Sequence, residues 1–290
     1  MSNATNRTGL IEVHLAVLLF GGTALFSKLI PLSALNITFL RCIVAAVVLA
    51  ILVKASKQVL SLKHKKDYFI AIILGVIVCS HWVTYFASMQ LSSVAIGMIA
   101  FFTYPVMTVL IEPLINKTQL KWVDIFSGLA VLFGVILLIP EPNLDNDITL
   151  GIIVGVFSAM LFTARNILHK KYFTDYSGPH AMFYQTLVAV IFLLPWQDVS
   201  TDDLTLHTSG LIILLGIVFT AAPHALFTSA LRYLSAKTVG LVSCLQPFYG
   251  AVLALIILGE QLSMQTLIGG SIIVATAIFE TQQNHKRNKP

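Results

Sequence analysis

Polar side chains that could hold a charge or exchange a proton lie within long apolar stretches of this sequence. Arg41 is near the middle of one stretch, and His81 and His224 are near the middle of two others. Tyr85 follows His81 by four residues, which places both on one face of a helix. A guanidinium group binds carboxylates, and imidazole and phenol groups form hydrogen bonds or transfer protons. These residue types indicate recognition of a polar ligand.

Each of these groups also has a purely structural interpretation. Arg41 lies about 18 Å from the basic end of its helix, at a depth where a guanidinium costs about 2.5 to 3.5 kcal/mol on insertion scales. It is expected either to bind backbone carbonyls between helices or to bind a ligand carboxylate. The histidines are either packing hydrogen-bond partners or members of a polar pathway. Arg165 lies nearer a helix end, where its side chain can extend to water.

The composition is that of a membrane protein. Of 290 residues, 57% are hydrophobic and 11% are charged, and the mean hydropathy is +0.87. Soluble domains carry roughly 25% charged residues. The net charge of +5 does not indicate a nucleic-acid partner, because the basic residues lie in short runs between apolar segments. Cys42, Cys79 and Cys244 lie in apolar runs without metal-ligand spacing, so no metal or cofactor is expected.

The chain divides into ten apolar segments, each with about the 20 residues that a helix needs to cross the hydrocarbon core. In order, segments one to ten are residues 10–30, 33–53, 67–90, 93–114, 120–139, 150–171, 178–196, 209–231, 236–258 and 264–281. The predicted fold class is therefore all-α integral membrane protein. No connection is long enough to hold a soluble domain.

The two halves of the chain resemble each other at a spacing of 142 residues. The spacing relates Lys28 to Lys170, Pro105 to Pro247 and Phe20 to Phe162. The repeats are residues 10–139 and 150–281, joined by an acidic external linker at 140–149. Because five crossings is an odd number, the second repeat enters the membrane inverted relative to the first. Secondary transporters commonly have such inverted repeats, with the substrate near the midplane.

The basic residues indicate the orientation through the positive-inside rule. With both termini in the cytoplasm, the external loops hold Lys28 and a set of acids: Glu141, Asp145, Asp147, Asp198, Asp202, Asp203 and Glu260. The cytoplasmic side then holds 15 of the 18 Lys and Arg residues: Arg7, Lys54, Lys57, Lys63, Lys65, Lys66, Lys117, Lys121, Lys170, Lys171, Arg232, Lys237, Lys286, Arg287 and Lys289.

Several stretches carry a family resemblance. LRCIVAA surrounds Arg41, SSVAIGMIAFFTYP ends at Pro105, SAKTVGLVSCLQP ends at Pro247, and LGEQL contains Glu260. Together they resemble EamA-type members of the drug/metabolite transporter superfamily. The turn in the first repeat that corresponds to LGEQL reads NKTQL, with Thr118 at the position where the family usually has Glu. The resemblance implies ten helices, a central cavity and transport of small organic solutes.

The expected function is secondary transport of a small metabolite, amino acid or drug-like solute across the bacterial inner membrane by alternating access. A channel or a flippase for lipid-linked sugars is the alternative. An enzyme is not expected, since neither H-E-x-x-H nor G-x-S-x-G occurs. The expected partners are the substrate and the lipid bilayer. If protons are coupled, His81 or His224 is the expected carrier. Monomer and homodimer stay open.

The substrate is expected to lie between segments three and four of one repeat and eight and nine of the other. These segments carry most of the polar and aromatic residues at mid-depth. Gly21 and Gly22 are expected to let segment one approach closely. The residues expected to line the site are His81, Trp82, Tyr85, Phe101, Tyr104, His224, Gln246 and Tyr249. Arg41 is expected to be structural or to bind a substrate carboxylate.

The topology predicts which loops face outwards. Cysteines introduced as Asp147→Cys and Asp202→Cys should react with a membrane-impermeant thiol reagent in intact cells. The reason is that the distribution of basic residues places both loops outside. Labelling that occurs only after lysis would reverse the orientation.

Overall fold

A computed structural model describes residues 3–117, 119–140, 143–173, 175–230, 233, 234, 239 and 242–287. The α-helices in these residues are α1 (Asn3–Thr23), α2 (Phe26–Leu29), α3 (Ala34–Ala55), α4 (Lys65–Leu91), α5 (Val94–Phe101), α6 (Tyr104–Asn116), α7 (Trp122–Leu138), α8 (Asp147–Tyr172), α9 (Gly178–Leu193), α10 (Leu206–Gly216), α11 (Ala222–Ala230), α12 (Gln246–Leu258) and α13 (Met264–Arg287). A π-helical turn, Ile217–Ala221, joins α10 to α11.

The described helices confirm the ten predicted segments. Six helical stretches are long and apolar enough to cross a membrane, and four shorter apolar helices accompany them. Each of the ten coincides with one predicted segment, so the protein is a multi-pass membrane protein. Several residues discussed above lie outside the described part of the chain: Thr118, Glu141, Arg232, Lys237, Lys289 and residues 235, 236, 238, 240 and 241.

Short polar side chains cap the helices where they begin. Ser33 Oγ accepts a hydrogen bond from the Asn36 backbone N–H at 3.2 Å, at the start of α3. Asn146 Oδ1 accepts from the N–H groups of Ile148 and Thr149 at 3.0 and 3.2 Å, at the start of α8. These bonds satisfy backbone donors that have no partner within the helix.

Four of the predicted segments are interrupted. Segment one divides into α1 and α2, and segment four into α5 and α6; segment eight contains the π turn, and α12 begins within segment nine. Pro105 and Pro247 are the second residues of α6 and α12. Inside a continuous helix, each proline would remove a backbone donor and leave a carbonyl one turn earlier free. They begin new helices instead, where the N–H that proline lacks would have no intrahelical acceptor.

The two repeats pack with the same pattern of contacts when they are exchanged. Helix α3 packs against α9, and α7 packs against α13, so each pair joins equivalent segments. Helix α4 packs against α8, and the exchanged pair, α11 against α1, does the same. Gly75 of α4 abuts Val188, and its counterpart Gly216 abuts Val44. The described helices thus have the pseudo-twofold arrangement of an inverted repeat.

The predicted end of segment ten is corrected. Helix α13 continues beyond residue 281 to Arg287, so Glu280 lies within the helix and is fully buried. There it accepts a hydrogen bond from Ser127 of α7. The sequence placed this carboxylate towards a helix end, because the polar residues that follow it resemble a loop.

Gly151 marks the close approach of α8 to α4. A Cβ there would lie 2.9 Å from the Ser88 carbonyl oxygen, and Ser88 Oγ donates a hydrogen bond to the Gly151 carbonyl at 2.6 Å. At Gly210 of α10 a Cβ would meet nothing within 4 Å. The two glycines are therefore a matched pair, one packed against a backbone and one open.

Gly151→Ala should destabilise the purified protein by about 1 to 3 kcal/mol, because the methyl group forces α4 and α8 apart. Gly210→Ala should be neutral or stabilising by up to about 1 kcal/mol, since alanine favours the helix and meets no obstacle. Thermal unfolding in detergent measures both. Equal effects of the two substitutions would contradict the close packing of α4 on α8.

Candidate functional site

A cavity of about 740 Å³ lies between the two repeats. Its described lining residues come from segments one to four and six to nine, and none of them comes from segments five and ten. The predicted placement between segments three, four, eight and nine was therefore incomplete. At one end the lining includes His169, Lys170 and Gly178, where α8 leads into α9.

The structure brings together eight of the nine residues that we expected at the site. These are Arg41, His81, Trp82, Tyr85, Phe101, Tyr104, His224 and Gln246. Tyr249 lies apart from them. Because α12 begins at Gln246, Tyr249 faces α1 nearly one turn later, where its hydroxyl pairs with His14 Nδ1 at 3.1 Å. It also packs closely against Gly21, one of the two glycines expected to let segment one approach closely.

Arg41 is buried between two aromatic rings. Its side chain is only 2% exposed, and its guanidinium carbon lies 4.4 Å from the Trp82 ring centroid and 4.7 Å from that of Phe86. Within the described part of the chain, Nε and Nη2 have no hydrogen-bond partner, and no carboxylate lies within ion-pair distance. The rings hold the cation in place. They leave Nε and Nη2 without a protein acceptor in the described structure, beside the cavity that Arg41 lines.

His81 is oriented by Ser158 of the other repeat. The Ser158 hydroxyl donates to the His81 carbonyl at 2.9 Å, and His81 Nδ1 lies 2.8 Å from the same oxygen. A hydroxyl has one proton to donate, so the second bond runs from Nδ1–H to Ser158 Oγ. In its neutral form the ring therefore presents Nε2 as an acceptor. The ring stacks on Phe101 with centroids 5.1 Å apart.

The two cavity histidines occupy equivalent surroundings. The His81 ring lies 4.9 Å from the ring of Phe162, and the His224 ring lies 5.0 Å from that of Phe20. Phe20 and Phe162 are themselves counterparts at the 142-residue spacing. Neither phenylalanine was among the expected site residues, although their pairing in the sequence was a signal for both. Each repeat thus places a histidine against a phenylalanine of the other repeat.

An aromatic layer forms much of the remaining wall. The rings of Phe101, Tyr104 and Phe162 lie 4.9 to 5.2 Å apart, and Tyr85 lies 5.1 Å from Phe101. The Tyr85 hydroxyl is buried and has no well-aligned hydrogen bond in the described structure, with the Gln246 side chain beside it. This composition of aromatic walls and few polar groups is typical of small-molecule pockets.

Arg165 is a cavity residue that the sequence did not identify. We expected its side chain to extend to water from the helix end. Instead its Nε donates to Gln185 Oε1 at 2.9 Å, and Nη1 donates to Asn166 Oδ1 at 3.0 Å. Gln185 belongs to α9, a helix that no sequence pattern placed beside α8. Contacts within the second repeat therefore keep the second guanidinium in the cavity wall.

The end of the bundle away from Lys170 is closed by polar contacts. Lys28 Nζ donates to the carbonyls of Gln90 and Ser92 at 3.0 and 3.3 Å. The Glu260 carboxylate accepts from the N–H groups of Val94 and Ala95 at 3.0 and 3.3 Å, which caps α5. A carboxylate at a helix N-terminus is stabilised by the helix dipole. This contact joins the loop after α12 to segment four.

Comparison with known proteins gives consistent matches. A family model described as the EamA-like transporter family matches residues 7–139 and 149–281. An uncharacterized transporter, YxxF, of Bacillus subtilis is 25% identical, with 95% of this chain and 90% of that protein covered. The threonine/homoserine exporter RhtA of Escherichia coli is 28% identical over 39% of each chain. A solved crystal structure has the same fold, with a TM-score of 0.64 and 15% identity over 98% of this chain and 100% of that chain.

Arg41→Met should leave the stability of the ligand-free protein unchanged or raise it. The substitution removes two unsatisfied buried donors, at about 1 to 3 kcal/mol each, and loses ring contacts of about 0.5 to 2 kcal/mol. Arg165→Met is the matched control, because its guanidinium has partners, and it should lower the unfolding temperature. If Arg41→Met instead destabilised the protein by about 3 to 5 kcal/mol, as removal of a satisfied buried ion does, Arg41 would be structural.

Proposed function

This chain belongs to the EamA-like transporter family, and we propose that it is a secondary carrier that moves a small organic solute by alternating access. The observation that carries the proposal is the cavity that both repeats line. Transporters built from inverted repeats bind their substrate at the repeat interface and expose it to either side as one repeat rocks against the other.

The closed end of the bundle favours a carrier over a channel. A channel needs a continuous path, whereas here Lys28, Gln90 and Glu260 join the ends of several helices on one side. Gln90 Nε2 donates to the Leu32 carbonyl at 2.8 Å as part of this layer. If both termini are cytoplasmic, this layer lies at the external face and the cavity extends towards the cytoplasm.

The cavity fits a metabolite, amino acid or drug-like solute. Its volume of about 740 Å³ lies within the roughly 300 to 1,000 Å³ of drug-sized sites. The exporter RhtA supports an amino acid or a related compound as one member of this class. A lipid-linked sugar is the second candidate, by fold only.

The remaining parts of the proposal concern the setting. We place the protein in the bacterial inner membrane with both termini in the cytoplasm, on the distribution of its basic residues. His81 or His224 would carry the proton if transport is coupled to protons, because both line the cavity.

Tyr104→Ala and Gln246→Ala should reduce transport while the protein still inserts into the membrane. Loss of a buried hydrogen bond to the solute costs about 0.5 to 1.5 kcal/mol, and up to about 3 for a charged partner. The apparent affinity should therefore decrease by a factor that lies between a few-fold and about a hundredfold. The measurement is uptake of labelled amino acids and carboxylic acids, threonine and homoserine included, into sealed proteoliposomes.

Tyr249→Phe is the control, since Tyr249 lies outside the cavity, and it should transport normally. A carrier also shows saturation and counterflow. Flux that rises linearly with concentration and lacks counterflow would instead indicate a channel. Normal transport by both cavity variants would move the site elsewhere.

A further inference from the structure

The charged side chains of the cavity are unbalanced. Arg41, Arg165 and Lys170 line it, and no Asp or Glu is among its described lining residues. Lys170 is neutralised by Glu112, whose carboxylate lies 2.8 Å from it. Arg165 bonds to neutral amide oxygens, and no carboxylate of the described chain reaches Arg41. Two cationic charges therefore face the cavity without an acidic counterpart.

From this imbalance we propose that the transported solute is an organic anion with an apolar body and no cationic group, and that Arg41 binds its carboxylate. The proposal rests on the proposed carrier function and specifies its substrate class. It separates this protein from a carrier of zwitterionic amino acids, since those solutes bring an ammonium group into the site.

Arg41 is built to receive such an anion. Trp82 and Phe86 hold its guanidinium plane, while Nε and Nη2 lack protein acceptors in the described structure. A carboxylate oxygen is the acceptor that matches a guanidinium donor in geometry and charge. Because the surroundings are apolar, the interaction is stronger than it would be in water. A ligand carboxylate would thus satisfy the donors that the folded chain leaves open.

An ammonium group would find no equivalent partner. The polar groups that line the cavity with Arg41 include the Tyr85 hydroxyl, the Gln246 amide and the acceptor Nε2 of His81, all of them uncharged when the histidine is neutral. An ammonium ion desolvated among neutral groups and close to two guanidinium ions is disfavoured by burial and by repulsion. Zwitterions and amines should therefore bind more weakly than a carboxylate with the same body.

The aromatic walls set the body of the solute. Rings from both repeats, including Phe101, Phe162 and Phe219, face the cavity. Contact with these rings favours an aryl or branched alkyl group, because burial of apolar surface contributes about 25 cal/mol per Å². A small hydrophilic acid would form the bond to Arg41 but would gain no free energy from burial of apolar surface.

The position of Trp82 provides a direct measure of binding. Of the three tryptophans, Trp122 and Trp196 are 76% and 69% exposed, whereas Trp82 is 8% exposed and contacts Arg41. A Trp122→Phe/Trp196→Phe protein leaves Trp82 as its single indole. Its fluorescence in nanodiscs then reports an anion at Arg41 without any requirement for flux.

The titration uses four probes with one body: 3-phenylpropanoate, phenylalanine, phenethylamine and 3-phenylpropanamide. A second series uses 4-methylpentanoate, leucine, isopentylamine and 4-methylpentanamide. The carboxylate should bind at least about tenfold more tightly than its zwitterion, amine and amide, which corresponds to about 1.4 kcal/mol. Phenyl phosphate distinguishes a carboxylate site from a general anion site, and tighter binding of phosphate than of carboxylate would overturn the choice of carboxylate.

Arg41→Gln in the same background should abolish the preference for the carboxylate, and Lys54→Gln, at the exposed end of the same helix, should retain it. The anion proposal is overturned if the carboxylates bind no more tightly than the zwitterions, amines and amides of their series. It is also overturned if neither carboxylate binds at concentrations up to about 10 mM. Uptake of the same eight compounds into proteoliposomes tests the carrier separately. Binding of the carboxylate without flux would support the anion site and contradict the carrier, whereas saturable flux without carboxylate preference would do the reverse.

Discussion

Backbone groups in the hydrocarbon core must find hydrogen-bond partners within the protein, since lipid offers none. Interrupted helices therefore occur only where another element supplies the missing bonds. Pro223, four residues after Phe219 beyond the π turn, has no N–H for the α-helical bond to the Phe219 carbonyl. Thr23 Oγ1 donates to that carbonyl at 2.8 Å. At the start of α6 a residue of the other repeat also bonds to the backbone, since Thr163 Oγ1 donates to the Tyr104 carbonyl at 3.2 Å. The interruptions, the bonds between repeats and the cavity consequently coincide.

Repeat symmetry shapes the cavity walls, and departures from symmetry supply its chemistry. The pairs His81 with Phe162 and His224 with Phe20 obey the pseudo-twofold. The arginines do not: the 142-residue spacing relates Arg41 to Phe183 and Arg165 to Thr23. Glu260, which caps α5, likewise corresponds to Thr118 in the first repeat. The symmetric scaffold thus provides two similar half-sites. The residues without a like counterpart in the other repeat give the cavity its charge, and they place the Glu260 carboxylate at the end away from Lys170.

Hydropathy and spacing predicted the ten segments and most of the candidate site. The reason is that membrane-spanning segments and their deep polar residues are visible in the order of apolar and polar residues along the chain. They could not predict where the helices are interrupted, since the bonds that permit an interruption come from distant segments. Tyr249 was misplaced for this reason: the face of α12 depends on its start at Gln246. Arg165 was missed because its partner Gln185 lies on a helix whose neighbour no periodicity specifies. Sequence spacing identifies which side chains are polar and deep, whereas tertiary contacts decide which of them share a cavity.

The position of Arg41 also connects solute binding to the contact between repeats. A Cβ added at Gly216 of segment eight would lie 3.2 Å from the Arg41 backbone carbonyl oxygen, and Val44 packs against the same glycine. Segment eight is where the π turn replaces regular helix, so a local change in hydrogen bonding is available there. A ligand can shift a conformational equilibrium only by as much as its affinity differs between the two states. The free energy of an unpaired buried charge depends strongly on its access to water. If the two states bury Arg41 to different extents, an anion that neutralises the guanidinium therefore binds them with very different affinities. The residue with open hydrogen-bond donors therefore lies next to the helix contact that rocking of the repeats would rearrange.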